Sequence, residues 1–247
     1  MQLSDKVAIV TGGAAGIGGA ITRVLVRRGA KVVFVDVNEE AGTALAAQLG
    51  DDAFFLAGDV GQREVADRAV ALAVQKFGKL NSLINNAHAS RQKPFVDHTR
   101  EDWDVSFNTG FWSTVHFMQA AYPELRKDGG AVVNFGSGAG MDGMATQASY
   151  GAAKEAIRGL SRTVAIEWGP ENIRVNVVSP RALTSGVEAW REHYPEMYQA
   201  SLKAVPLGRF GDPEQDVAPI VAFLISDDAQ YMTAQTVMAD GGGQKVR

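Results

Sequence analysis

The 247-residue chain contains no cysteine, which excludes disulfides, thiolate zinc sites and cysteine nucleophiles together. It also lacks any surplus of positive charge. The 24 Lys+Arg stand against 28 Asp+Glu, a formal net charge of −4, which argues against a nucleic-acid groove. Histidine is scarce: His88, His98, His116 and His193 are scattered without metal-ligand spacing, so no metal is expected. No apolar run approaches the about 18 residues a membrane span requires. Met1 to Lys6 passes directly into a strand-like run, which leaves no room for a secretory signal, and a soluble, cytoplasmic protein is expected. Neither a Ser/Gly linker, a low-complexity tract nor an internal repeat divides the chain, so one domain over 1–247 is expected.

What is present is regular alternation. Val7–Val10, Val32–Val35, Ala53–Leu56, Leu80–Asn85, Ala131–Phe135, Val175–Val178 and Thr236–Met238 are nearly continuous apolar runs, as expected of strands covered on both faces. Helical windows fall between them, near 16–28, 39–49, 61–77, 99–126, 148–168 and 213–226. This order predicts an α/β fold, a parallel sheet of about seven strands with helices on both faces and right-handed crossovers. The segment 185–209 departs from the rhythm, with Trp190, His193, Tyr194, Met197 and Tyr198 between interrupting prolines. It reads either as a helix pair packed on the core or as a lid over a pocket.

The first strand runs into Thr11-Gly12-Gly13-Ala14-Ala15-Gly16-Ile17-Gly18 and then a helix. A doubly negative pyrophosphate needs amide donors at a helix N-terminus and residues without side chains for close backbone approach, which Gly12, Gly16 and Gly18 supply. The second strand ends at Asp36. A carboxylate there accepts hydrogen bonds from an adenosine ribose and repels a 2′-phosphate, so NAD is expected over NADP. Asp59 and Val60 follow the third strand, where the adenine edge should lie.

Together with these, Asn85-Asn86-Ala87, Asn108, Ser137, Tyr150-x-x-x-Lys154, Asn176, Pro180 and Thr184 form an ordered set. Over essentially its whole length the chain resembles the short-chain dehydrogenase/reductase family. The resemblance implies a Rossmann-type doubly wound sheet, an NAD-dependent oxidoreductase interconverting a small-molecule secondary alcohol and a ketone, and a homotetramer. It also implies that Asn108 holds a water linking Lys154 to solvent, and that the loop from Pro180 to Thr184 carries the nicotinamide carboxamide. Asn86 and Ala87 would wall the adenosine side, and Lys154 would bind the nicotinamide ribose. Ala139, Met141, Asp142, Gln147, Ala89 and Ser90 would face the substrate, with Trp190, His193, Tyr194 and Met197 closing over it.

The chemistry of the pair can also be argued from the residues. Tyr150 and Lys154 stand four apart in a helical window, on one face about one turn apart. A phenol with a pKa near 10 is a poor base at neutral pH, and an adjacent ammonium is expected to lower that value. Tyr150 then exchanges a proton with the substrate oxygen while Ser137 holds that oxygen in place. The same fold and cofactor also serve epimerases, dehydratases and enoyl reductases, or a dinucleotide-binding regulator without turnover. The intact Asn108–Ser137–Tyr150–Lys154 set favours the alcohol–ketone reaction.

Two positions break the family pattern. His88 and Arg181 stand where glycine is usual, so either the backbone path or a neighbour must have changed. His88 either lines the pocket, adjusts cofactor affinity or caps its strand. Arg181 either binds an anionic substrate group or turns away to a surface acid.

Overall fold

The computed structural model describes residues 2–244. Seven parallel strands are β1 (Val7–Thr11), β2 (Lys31–Asp36), β3 (Ala53–Ala57), β4 (Ser82–Asn85), β5 (Gly130–Phe135), β6 (Ile173–Pro180) and β7 (Thr236–Ala239). Their order in the sheet is β3-β2-β1-β4-β5-β6-β7. The expected strands are all found, with ends displaced by one or two residues. The order reverses between β1 and β4, and a crevice outside the carboxyl ends of the strands at such a point is where ligands bind in open α/β sheets.

Alternate residues along each strand enter opposite cores, as the period of two demands. Ala8, Val10, Val32, Phe34 and Val133 pack against α1 (Gly16–Arg27), α2 (Glu39–Leu49) and later α10 (Ala218–Ile225). Ile9, Val33, Val35, Leu83 and Val132 pack on the other face against α3 (Arg63–Phe77), α5 (Ser113–Asp128) and α7 (Ala148–Trp168). These residues are almost all fully buried, which explains why the strand runs read as continuously apolar.

The window 99–126 is not one helix, which corrects the sequence reading. It comprises α4 (Arg100–Ser106), a π-helical stretch from Phe107 to Trp112, and α5. A capping box starts α4, with the Thr99 amide donating to Asp102 at 2.9 Å. Gly110 is a weak helix former, and the hydroxyls of Thr109 and Thr114 donate to the carbonyls of Val105 and Gly110. These bonds accompany the widened turn, in which the Ser113 amide reaches back to the Asn108 carbonyl.

The segment 185–209 forms two short helices, α8 (Ser185–His193) and α9 (Pro195–Lys203), with Pro195 at the first turn of the second, where a missing amide costs nothing. Tyr198 and Phe210 are buried and pack ring on ring, 5.1 Å apart, with Trp190 5.8 Å from Tyr198. A four-residue helix α6 (Gly138–Met141) follows β5.

Candidate active site

Two cavities lie side by side along the carboxyl ends of the strands. One, of about 370 Å3, is lined by Gly12, Ile17, Asp36, Asp59, Val60, Asn86, Ala87 and Thr184 among others. The second, of about 540 Å3, is lined by Ser137, Ala139, Gln147, Tyr150, Lys154, Pro180 and Arg181 among others. Ile17, Asn86, His88 and Thr184 belong to both walls, so the cavities share a boundary. A larger cavity, about 890 Å3, opens at the opposite edge of the sheet around Asp5, Lys6, Asn81 and Arg174, remote from this chemistry.

The first cavity is built by a glycine turn clamped from behind. Gly12 and Gly16 have positive φ, +63° and +55°, which only glycine adopts freely. A Cβ on Gly18 would strike the Gly12 carbonyl, so the helix can start close against the turn only without one. Asn86 holds the turn: its Nδ2 donates to the carbonyls of Thr11 and Gly12 at 3.0 and 3.2 Å, and its amide donates to Thr11 Oγ1. The Asp36 carboxylate is fixed by the amides of Ala14 and Asn38, both at 3.1 Å. The first amides of α1 have no intrahelical acceptor and lie at the mouth of this cavity. Backbone donors, a side-chain-free approach and an anchored carboxylate are what a dinucleotide requires, and the residues present fit one.

The second cavity holds the proton-transfer candidates. Ser137 caps α6, its Oγ accepting from the Ala139 amide at 3.2 Å. Tyr150 and Lys154 project from the first turns of α7. That helix is tied to the sheet by a buried chain in which Asn85 donates to Asn134 and Asn134 donates to Ser161, each at 2.8 Å. Lys154 Nζ lies 5.6 Å from the centre of the Tyr150 ring and donates to the Phe135 carbonyl at 2.9 Å.

The electrostatics differ from the expectation of an ammonium acidifying a phenol. Burial raises the Tyr150 phenol above its ordinary value, opposed by a hydrogen bond with Ser137. Burial also pushes Lys154 down to about 7, and among the described residues no carboxylate pairs with it to offset this. Burial thus favours the neutral form of both groups and drives their acidities apart.

Three sequence expectations fail here. Asn108 lines neither cavity. It is exposed, and a Cβ on Gly61 would stand 3.6 Å from its own, on the side of α3. At the π-helical turn it is Gly110, not Asn108, that faces the loop after β4, against the His88 ring. Met141 and Asp142 also lie outside the lining, with Asp142 accepting a hydrogen bond from Gln244 at 2.9 Å. Of the lid residues, Trp190 lines the cavity, whereas His193, Tyr194 and Met197 are exposed.

Other wall residues carried no local signal in the sequence. Phe210 and Gln244 come from distant parts of the chain, Met144 comes from the loop between Ser137 and Tyr150, and Thr109 reaches the first cavity from the widened turn. Arg181 lines the second cavity. Its Nη1 donates to the Ser201 carbonyl at 3.3 Å, its guanidinium stands 5.9 Å from the Phe210 ring centre, and no acid pairs with it among the described residues. Neither His88 nor Arg181 has positive φ, so the departure from glycine at each is accommodated by neighbours without backbone strain. Among the described residues no cluster of three or more potential metal ligands occurs, and no helix is long and apolar enough to cross a membrane.

Switch-point crevice, glycine turn and Ser–Tyr–Lys group together define a dinucleotide-binding oxidoreductase site. Comparison with known proteins agrees: the family model described as Enoyl-(Acyl carrier protein) reductase matches residues 12–244. The chain is 42% identical to 12alpha-hydroxysteroid dehydrogenase of Clostridium sp. (strain ATCC 29733 / VPI C48-50), over 97% of each chain. It is 34% identical to D-threitol dehydrogenase of Mycolicibacterium smegmatis, covering 98% of this chain and 94% of that protein. The crystal structure of a putative short-chain alcohol dehydrogenase from Sinorhizobium meliloti 1021 superposes with a TM-score of 0.92 at 32% identity, covering 98% of this chain and 97% of that one. The chain belongs to the short-chain dehydrogenase/reductase family, and it is an enzyme of that class.

Proposed function

We propose that this enzyme oxidises a secondary alcohol to a ketone, and runs the reverse reduction, with NAD(H) as its redox partner. The observation that carries this reading is the meeting of Ser137, Tyr150 and Lys154 in one cavity that adjoins a dinucleotide-shaped crevice. Gly12, Gly16, Ile17 and Gly18 would receive the pyrophosphate, and Asp36 the adenosine ribose. Asp59, Val60, Asn86 and Ala87 would frame the adenine side, and Pro180 and Thr184 the nicotinamide end. Among the described residues the lining of that crevice contains no lysine or arginine to answer a 2′-phosphate, which supports NAD over NADP. When bound, the dinucleotide supplies a hydride acceptor and a positive charge beside the phenol.

In the oxidation the Tyr150 oxygen takes the hydroxyl proton of the alcohol, and in the reduction it returns it. Ser137 donates to the same substrate oxygen and holds it against the phenol. Lys154, buried and without a counter-ion, favours the phenolate whenever it is protonated. Ala139, Gln147 and Trp190 shape the pocket around the carbinol. Arg181, unpaired with any acid among the described residues, is assigned to an anionic group on the substrate.

Two of the relatives named above are dehydrogenases of hydroxylated compounds, which supports an alcohol substrate. Exposed Trp112 and Ile166 leave apolar surface beside α5 and on α7 that a homotetramer would cover. Light scattering reading a monomer would remove that assembly.

The direct test is NADH formation with a panel of 12alpha-hydroxysteroids, D-threitol and cyclohexanols, each carboxylated and neutral where available. Tyr150→Phe should lower kcat by about 100-fold or more while NADH binding persists. Undiminished turnover in that variant would defeat the mechanism.

A further inference from the structure

The loop after β4, residues 86–94, is fastened along α4 and the turn that follows it. The Ala89 amide donates to Thr109 Oγ1 at 2.9 Å. Arg91 and Lys93 both pair with the fully buried carboxylate of Asp102, at 3.2 and 2.8 Å, and the Lys93 amide donates to the Thr146 carbonyl. His88 sits inside this loop with its Nε2 2.9 Å from Ser106 Oγ. Its ring meets Tyr150 edge-on, with centroids 4.8 Å apart.

The other side of the imidazole rests on Gly110. A Cβ at Gly110 would come within 2.5 Å of His88 Nδ1, and its three nearest neighbours would all be atoms of this ring. The missing side chain on the helix and the added side chain on the loop are therefore complementary: one makes the space the other fills. Nδ1 itself is buried and has no hydrogen-bond partner among the described residues. A side chain needed only to fill that space would be apolar, because an unpaired polar atom is costly to bury.

We propose that His88 is a positioning residue of the catalytic group, taking from the loop after β4 the place beside Tyr150 that Asn108 does not occupy. The inference rests on the reading of Tyr150 as the proton-transfer group. Ser106 fixes the ring plane and Gly110 sets its depth. The imidazole, itself on the boundary between the two cavities, props the phenol of the second and leaves Nδ1 as an unspent hydrogen-bonding atom within the group. Burial and the charge of Lys154 push the ring down to about 2, so it acts in its neutral form at working pH.

The test measures kcat, KM and NADH affinity, the last by fluorescence, using the panel alcohol with the highest kcat/KM. His88→Gly should lower kcat at least tenfold, with KM and NADH affinity within threefold of the parent. Adding Gly110→Asn to that variant should restore kcat to within threefold of the parent, because a polar side chain again reaches Tyr150. Adding Gly110→Ala instead should restore nothing. The proposal falls if His88→Gly keeps its kcat, if alanine at 110 rescues as well as asparagine, or if NADH affinity falls in step with kcat. Should His88→Gly fail to fold, Ser106→Ala keeps the ring and frees it. A kcat loss of threefold or more then supports the proposal, and an unchanged kcat overturns it. Tyr150→Phe run alongside separates the cases: full activity there defeats the acid–base reading itself, whereas an inactive Tyr150→Phe with an active His88→Gly defeats only the role of His88.

Discussion

Lys154 sends its hydrogen bond to the main-chain carbonyl of Phe135, and among the described residues no carboxylate answers its charge. The lysine is 4% exposed, so its ammonium is desolvated without Coulombic return. Its folded pKa of about 7 lies below the ordinary lysine value of about 10.4, and between those limits the folded protein binds fewer protons than the unfolded chain. Stability therefore rises as pH climbs from about 7 to about 10.4, and the full cost is felt below 7. Without dinucleotide, Lys154→Met should be more stable than the parent by on the order of 2–4 kcal/mol at pH 6.5, while losing activity. The advantage should shrink by pH 9.5. Thermal unfolding at the two pH values checks this, and equal melting temperatures at pH 6.5 would contradict it.

Asp36 predicts a cofactor switch. Asp36→Ala leaves the Ala14 and Asn38 amides without their acceptor and removes the charge that repels a 2′-phosphate. The kcat/KM for NAD should fall about tenfold or more, the worth of hydrogen bonds to an ionised group, while the value for NADP rises. A parent enzyme that already prefers NADP would refute the assignment at the outset.

Arg181 gives a contrast between substrates. In Arg181→Ala the KM for a carboxylated alcohol should rise at least tenfold, and that for its neutral analogue by less than threefold. Paired steady-state measurements decide it. Equal changes would mean that the guanidinium serves the Ser201 and Phe210 packing alone.

Asn108→Ala should leave kcat within twofold of the parent, because the side chain is exposed and faces Gly61. Gly110→Ala, two residues on, should be damaging, since its methyl group enters the His88 ring. A large kcat loss at 108 with none at 110 would reverse the helical phase described here.

That helical phase also marks how far the sequence could be read. Strands such as Val7–Thr11 and Lys31–Asp36 were legible because burial on both faces writes itself as an unbroken apolar run. The glycine turn and Tyr150/Lys154 were legible because their spacing is local. The role expected of Asn108 came from the family resemblance; the structure sets it exposed beside Gly61, in a π-helical turn that nothing in a linear pattern announces. The pairing of His88 with Ser106, and of Asp142 with Gln244, spans distances that only the folded sheet closes.

The second cavity draws its wall from Asn86, Ser137, Tyr150, Arg181 and finally Gln244, whose side chain packs on Gly138. The first crevice takes most of its wall from residues 12–89, with Thr109 and Thr184 added from further on, whereas the second cavity gathers its wall from Ile17 through to Gln244. A change at Gln244 should therefore alter the second cavity while leaving the first crevice untouched.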